Sequence, residues 1–394
     1  MVTPRRPGPR LRHLEFHPSE HAGQRGLLLR DPLGIAAEAF VPEGLIPLLA
    51  RCDGKASIAG LQRQVPGAPA GFVAKLVDQL DEALLLDSPR FATALATAVR
   101  EFGAREVRPA RHAGSAGYPA AREAAEAALG AMISRRTRRE REAPRGLIAP
   151  HIDLARGREG YVMAYGYLAE TTPADLYVIF GTGHHGPGAP VTGLAMDWET
   201  PLGRVRTDSE FVQAVHARLG PADPLDLFLH QHEHSLEFQV LMLQHVLHGQ
   251  EFAVAGFLCG SLPSRSGDPG QEQYVQEILA TFRAAAAGKR VCFIAGADLA
   301  HIGPHFGDPE PVDDLRLDEL ARTERGRLAH LEQGNPGAFH AGLEAEGNPD
   351  RVCGATPIYL AAALASGSGE VLHYGQARAP GGQQCVSFCS VAFG

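Results

Sequence analysis

The chain reads as an α/β protein, with a central mixed sheet flanked by helices over residues 145–394 and a small helical or winged-helix domain before it. Three observations predict this. Short apolar runs at 146–149, 176–180, 252–258 and 291–294 each end in a loop carrying glycine or histidine, and helical patterns such as 160–170 separate them. The C-terminal runs 371–374 and 385–393 carry β-branched and aromatic residues around a glycine–proline turn, as an antiparallel hairpin added to the sheet would. A length of 394 residues and a hydrophobic content of 44% supply at least one large core and make two domains the natural expectation.

Residues 1–25 read as a basic N-terminal tail, with arginines crowded between Arg5 and Arg12. The net charge of -8 excludes a general affinity for nucleic acid, which needs concentrated cationic surface. No apolar leader precedes the arginines and no apolar run is long enough to span a bilayer, so a cytoplasmic, membrane-free location is expected. Within residues 26–91, apolar-periodic segments at 44–50 and 71–86 flank the turn Asp53-Gly54 and a short amphipathic stretch at 57–65. That order of signals, with Cys52-Asp53-Gly54-Lys55 and the closing Leu84-Leu85-Leu86-Asp87, resembles the PqqD-like peptide-recognition domains. Residues 92–144 read as a helical connector broken at 112–117, with a second basic cluster between Arg135 and Arg141.

In the α/β part, ligands gather beyond the carboxyl ends of the strands, where loops converge and helix N-termini present their N–H groups. The run 146–149 ends in Pro150-His151-Ile152-Asp153, and 176–180 ends in Gly181-Thr182-Gly183-His184-His185. The run 291–294 leads into Gly296-Ala297-Asp298-Leu299-Ala300-His301 as the loop after a strand. A fourth element, His230-Gln231-His232-Glu233-His234-Ser235-Leu236-Glu237, opens a helix whose core stripe is Leu236, Val240, Leu243 and Leu247. On it His234 and Glu237, three apart, share a face away from that stripe and are expected in the cleft together, with Glu233 a further candidate. Adjacent side chains on an extended chain point apart, so one of His184 and His185 faces the cleft. Imidazoles mixed with carboxylates suit non-haem iron or catalytic zinc. The six cysteines show no metal-finger spacing and read as reduced, buried thiols. Trp198 reads as a loop anchor and Glu199-Thr200-Pro201-Leu202-Gly203 as an architectural turn.

Taken in order, Pro150-His151, Gly181-Thr182-Gly183-His184-His185, Glu199-Thr200-Pro201-Leu202-Gly203, Glu233-His234-Ser235-Leu236-Glu237, Asp298-Leu299-Ala300-His301 and Cys353-Gly354 resemble the motifs of the Memo family, called AmmeMemoRadiSam system protein B in bacteria and archaea. The resemblance implies a fold like that of class III extradiol dioxygenases, a metal site in a central cleft, and a radical-SAM partner protein. Carried over position by position, it implies His151, His184 and His234 as cleft residues with Asp298 and His301 beside them; within that set the metal is expected on His151, His184 and Asp298, with His234 and His301 as the catalytic groups. Where the family has Gly-Pro-Ser-His-His this chain has Gly181-Thr182-Gly183-His184-His185, and the loop His151-Ile152-Asp153-Leu154 adds Asp153 as a possible carboxylate. The residue before His301 is Ala300, which argues against a thiolate-based copper site.

The expected function is therefore an Fe(II)-dependent, dioxygenase-like oxidoreductase acting on a small aromatic or peptide substrate, with Zn(II) or Cu as alternative metals. A non-catalytic peptide- or metal-binding accessory protein is one alternative. A zinc hydrolase using Glu233 or Glu237 as base is the other, though no HExxH motif is present.

Overall fold

The computed structural model describes residues 8–114, 117–134 and 141–394. Arg5, Arg6 and most of the cluster between Arg135 and Arg141 lie outside the described residues, as do Ser115 and Ala116 of the expected break. The chain divides into two compact units, Met1–Ala104 and Arg105–Gly394.

The first unit opens with an antiparallel meander of β1 (Glu15–His21), β2 (Gln24–Arg30) and β3 (Ala39–Pro42). Its first turn, Ala22-Gly23, has positive φ at both residues, the twist that a two-residue hairpin favours. Part of the expected basic tail is thus a strand. Being exposed on most of its length, β1 carries no apolar alternation and is held by its backbone ladder to β2. Helices α1 (Ile46–Leu49), α2 (Ile58–Gln62), α3 (Phe72–Glu82) and α4 (Pro89–Gly103) follow, with Ser57 and Ser88 capping α2 and α4. Leu14, Leu29, Val41, Leu49, Leu80 and Leu85 form the core. Beside it the buried Asp31 accepts from Arg12 and from the N–H groups of Leu33, Ile35 and Ala36.

In the second unit β4 (Val107–Arg108) and α5 (Arg122–Met132) precede β5 (Gly146–Ala149), α6 (Arg158–Ala169), β6 (Leu176–Thr182) and β7 (Val191–Leu194). Next come β8 (Asp197–Thr200), β9 (Gly203–Val205), α7 (Ser209–Leu219), α8 (Pro224–Leu229), α9 (His234–Val246) and β10 (Ala253–Cys259). The unit closes with α10 (Gln273–Ala285), β11 (Val291–Gly296), β12 (Asp298–Ile302), α11 (Asp314–Glu332), α12 (Pro336–Ala345), α13 (Ala355–Ala365), β13 (Gly369–Arg378) and β14 (Cys385–Phe393). The residues read as a connector therefore divide, α4 falling in the first unit and β4 and α5 in the second. Asp298–Ile302, expected as a loop, is a strand.

The main sheet has eight strands in the order β12-β14-β5-β11-β6-β10-β7, with β13 also paired to β14. Strands β5, β11, β6 and β10 run parallel and β7, β12, β13 and β14 antiparallel to their neighbours, the mixed sheet that the sequence predicts. Buried on both faces, β5, β6 and β10 are apolar without alternation. Val178 and Phe180 of β6 join α10 and α13 in the largest core cluster, whereas a Cβ on the intervening side of the strand, at Gly181, would meet Ser235 and Leu236 of α9. Helices therefore cover both faces.

One edge of β14 is shared: β12 pairs with residues 385–388 and β5 with 391–393. β12 thus takes up the edge where β5 ends, which brings Asp298 to the carboxyl end of β5. No helix among the described residues is long and apolar enough to cross a membrane.

Candidate metal centre

Two strand ends and one helix start meet at a single point. His151 follows β5, His184 follows β6 and His234 is the first residue of α9. One nitrogen from each lies within 4.8 Å of the others, and the ring centroids are 4.9–5.3 Å apart. The backbone permits this because glycine ends β11 and lies near the end of β6. A Cβ on Gly296 would come within 2.3 Å of the Ser235 carbonyl, and one on Gly181 within 2.5 Å of the Ser235 hydroxyl. Only bare backbone lets α9 point its N-terminus between these strand ends.

Each imidazole is oriented by what its other nitrogen does. His151 Nδ1 donates to the Gly296 carbonyl at 2.9 Å, so Nε2 is the nitrogen turned toward the cluster. His184 Nδ1 is 2.9 Å from Glu233 Oε1 and 3.0 Å from Oε2, which turns its Nε2 inward too. Glu233 also caps α9 by accepting from Ser235 N–H at 3.0 Å, and it lies 3.5 Å from His234 Nδ1. Tyr165 donates to Gln239, whose amide donates to the Pro150 carbonyl, while Tyr161 donates to the Ile152 carbonyl. The loop carrying His151 is therefore held on both sides.

Cys353, in the loop before α13, places Sγ 3.4 Å from His151 Nε2. Alanine at position 300 means that no thiol comes from the residue before His301. A thiol nonetheless arrives from elsewhere, the loop between α12 and α13. Burial raises a thiol's pKa, but the His151 and His184 imidazoles beside Cys353 outweigh that and bring it down to about 5. Burial likewise disfavours charge on His151, yet the Asp298 carboxylate and Cys353 push it up to about 9. Desolvation opposes charge on His184 and Glu233 as well, but each holds the other charged, His184 well above its usual value and Glu233 well below. His234 is driven well below its usual value by burial, against the opposing pull of the Glu233 carboxylate.

The other expected residues fall around this centre. Asp298 accepts the His151 backbone N–H at 2.9 Å and keeps its second oxygen 3.6 Å from Nε2, beside the three converging imidazoles and outside their group. Asp153 lines the cleft with its carboxylate bonded to Arg156. His301 lines the outer wall, its ring 5.1 Å from Phe306 and its Nδ1 3.2 Å from the Leu299 carbonyl. Of the tandem pair, His184 faces the cleft and His185 is not among its lining residues. Glu237, expected in the cleft with His234, points instead to the buried Arg108 and accepts from Tyr118. A carboxylate three positions along a helix shares a face with its partner, but a buried guanidinium claims it. Trp198 is fully buried on β8, with the Arg108 guanidinium 5.0 Å from its ring.

The cleft above the imidazoles encloses about 460 Å³, walled by Ile152, Phe238, Phe306 and Val386, with Arg156 and His305 also lining it. The donor set fits a transition ion: three imidazoles each turn a ring nitrogen inward, which an ion would hold by displacing the proton, two of them are fixed by acceptors behind, and an acidified thiol lies alongside. Fold and site together define a mixed α/β protein with a histidine-lined, metal-competent cleft at the carboxyl ends of its parallel strands.

Residues 108–391 match the Memo-like protein family, and the chain belongs to it. It is similar to a MEMO1 family protein of Aquifex aeolicus, 26% identical over 332 residues that cover 83% of this chain and 84% of that protein. A MEMO1 family protein of Methanococcoides burtonii is 36% identical over 176 residues, 44% of this chain and 61% of the relative's length. Among solved structures, an uncharacterized protein of Escherichia coli K12 aligns with 63% of this chain and 99% of its own at 12% identity, with a TM-score of 0.40.

Proposed function

We propose that the cleft holds one divalent transition ion on His151, His184 and His234 and that the protein is a non-haem iron oxidoreductase of dioxygenase-like chemistry. The convergence of three imidazoles within 4.8 Å carries this reading. Bound Fe(II) would supply Lewis-acid activation of a substrate oxygen and one-electron redox chemistry. The chain's own residues do the rest. Ile152, Phe238, Phe306 and Val386 exclude water and suit a small aromatic body. His301, whose Nδ1 donates to the Leu299 carbonyl, keeps Nε2 as an acceptor for the proton of a substrate hydroxyl.

Cys353 supports a second reading, since a thiolate beside His151 favours Zn(II) or Cu over iron. Hydrolysis gains nothing from this, because Glu233 is engaged by His184 and the α9 cap, and Glu237 by Arg108. The reading also includes a radical-SAM partner protein, which anaerobic co-purification of the two chains would test.

The deciding experiment is elemental analysis of anaerobically purified protein beside a His151→Ala, His184→Ala double variant. Near-stoichiometric iron that disappears in the variant, together with oxygen uptake on a catechol-like substrate, is the expected result. Stoichiometric zinc or copper would keep the site and overturn iron. No metal in either protein would overturn the site and leave a peptide-binding role.

A further inference from the structure

The segment between β4 and α5 lies more than a hundred residues from α9 in sequence, yet it forms one wall of the cleft. His112 and Gly117 line the cavity directly. The His112 ring stands edge-on to His234 at 5.5 Å between centroids and to Phe238 at 5.9 Å. Its Nε2 donates to the His232 carbonyl at 3.1 Å, which fixes the plane of the ring.

One buried carboxylate gathers much of this wall. Glu237 accepts from Arg111 N–H at 3.1 Å, from His112 N–H at 2.9 Å, from the Tyr118 hydroxyl and from the Arg108 guanidinium. Arg108 in turn donates from Nε to the His230 carbonyl at 3.1 Å and from Nη2 to the Glu233 carbonyl at 3.0 Å. An ion pair buried this deeply costs desolvation that a pair of apolar side chains would avoid, so it is poorly explained as a source of stability alone. Geometry explains it better: four donors from residues 108–118 converge on one side chain of the helix that carries His234. The carboxylate thereby sets the place of the His112 ring relative to that histidine.

We propose that His112 is a ligand-contacting residue of the cleft, and that Glu237 and Arg108 are positioning residues that hold its ring against whatever binds beside His234. This deepens the reading of the cleft as the reactive site and rests on it. No part of it requires His112 to hold the metal: its Nε2 is given to the His232 carbonyl, and it is not one of the three converging donors.

The test uses full-length protein labelled with ¹³C-histidine, the His112 resonance being assigned from a His112→Asn variant. Titration of 4-nitrocatechol into metal-loaded and metal-free protein is expected to move that resonance. His112→Ala is expected to bind the probe about tenfold more weakly while its metal content stays that of the parent. His112→Asn, which keeps a polar group in the same place, should recover part of the loss, and Glu237→Gln should weaken the probe without removing the metal. An unmoved resonance and an unchanged affinity in His112→Ala would overturn the proposal, as would failure of the probe to bind either form. Absence of metal from the parent would overturn the metal reading instead, and the metal-free titration would then judge His112 by itself.

Discussion

Glu233 has one carboxylate and two tasks: it fixes the tautomer of His184 and it caps the helix that begins with His234. A carboxylate behind a ligating imidazole raises the basicity of the ring and fixes its direction. Glu233→Gln keeps an oxygen for the cap but removes the charge and offers an amide where an acceptor is needed. Metal affinity should fall by roughly 10–100-fold, the usual effect of losing such a partner, and stability should fall by about 1–3 kcal/mol, because the cap survives but His184 loses the buried charge that pairs with it. Competition with a chromogenic chelator measures the first and thermal unfolding the second. An unchanged affinity would show that His184 finds its orientation without the carboxylate. Glu237, one turn further along the same helix, presents the same charge but serves the wall of the cleft, so residue type alone does not tell their roles apart.

Among the elements, α9 is the one whose placement decides the site, since both His234 and Glu233 depend on it. Its approach to β11 is set at Gly296, where an added Cβ would lie 2.3 Å from the Ser235 carbonyl and 2.9 Å from the Gln239 side chain. The nearer neighbour is backbone and cannot rotate aside. Gly296→Ala should therefore cost about 1–3 kcal/mol or more through overpacking and lower metal content as well. Gly166→Ala, on α6 with no atom within 4 Å of the new Cβ, should be neutral or stabilising by up to about 1 kcal/mol. Equal melting temperatures and equal metal content for parent and Gly296→Ala would refute the argument. The buried strands are legible in the sequence because a parallel strand covered on both faces is simply apolar, and His151, His184 and His234 are legible because each sits where such a strand ends or a helix starts. β1 and β4 give no such signal, the first being polar and exposed and the second two residues long. β12 reads as a loop because Asp298-Leu299-Ala300-His301 follows closely on the glycine that ends β11, and only pairing with β14 makes it a strand. The place of Cys353 beside His151, although its Cys353-Gly354 motif is legible, and His112 are hidden for a different reason. Their hydrogen bonds reach across 202 and 125 residues of sequence, and no local pattern reports contacts of that range.

At the scale of the whole molecule, the extended part of the sheet is tied together by one carboxylate away from the metal cleft. Glu324 of α11 accepts from Ala300 N–H of β12 at 3.1 Å, from the Tyr374 hydroxyl of β13 at 2.7 Å and from the Ser387 hydroxyl of β14 at 2.8 Å. Burial still dominates: it raises the carboxyl from 4.5 to about 7 against the lowering effect of those three donors. Because the folded protein holds this proton more tightly than the unfolded chain, the folded state binds more protons between pH 4.5 and about 7. Stability contributed here is then greatest below pH 4.5 and is lost as pH rises through that window, levelling off above it. At about 1.4 kcal/mol for each pH unit across the window, the loss is about 3 kcal/mol. Glu324→Gln cannot ionise, so its stability should lack this component, and the difference between parent and variant should move against the parent as pH rises from 4.5 to about 7. Denaturant unfolding of both proteins across that range, followed by tyrosine absorbance to report on the environment of Tyr374, measures it. A difference that stays constant with pH would mean that Glu324 is already ionised throughout, and that its three donors outweigh the cost of burying the charge.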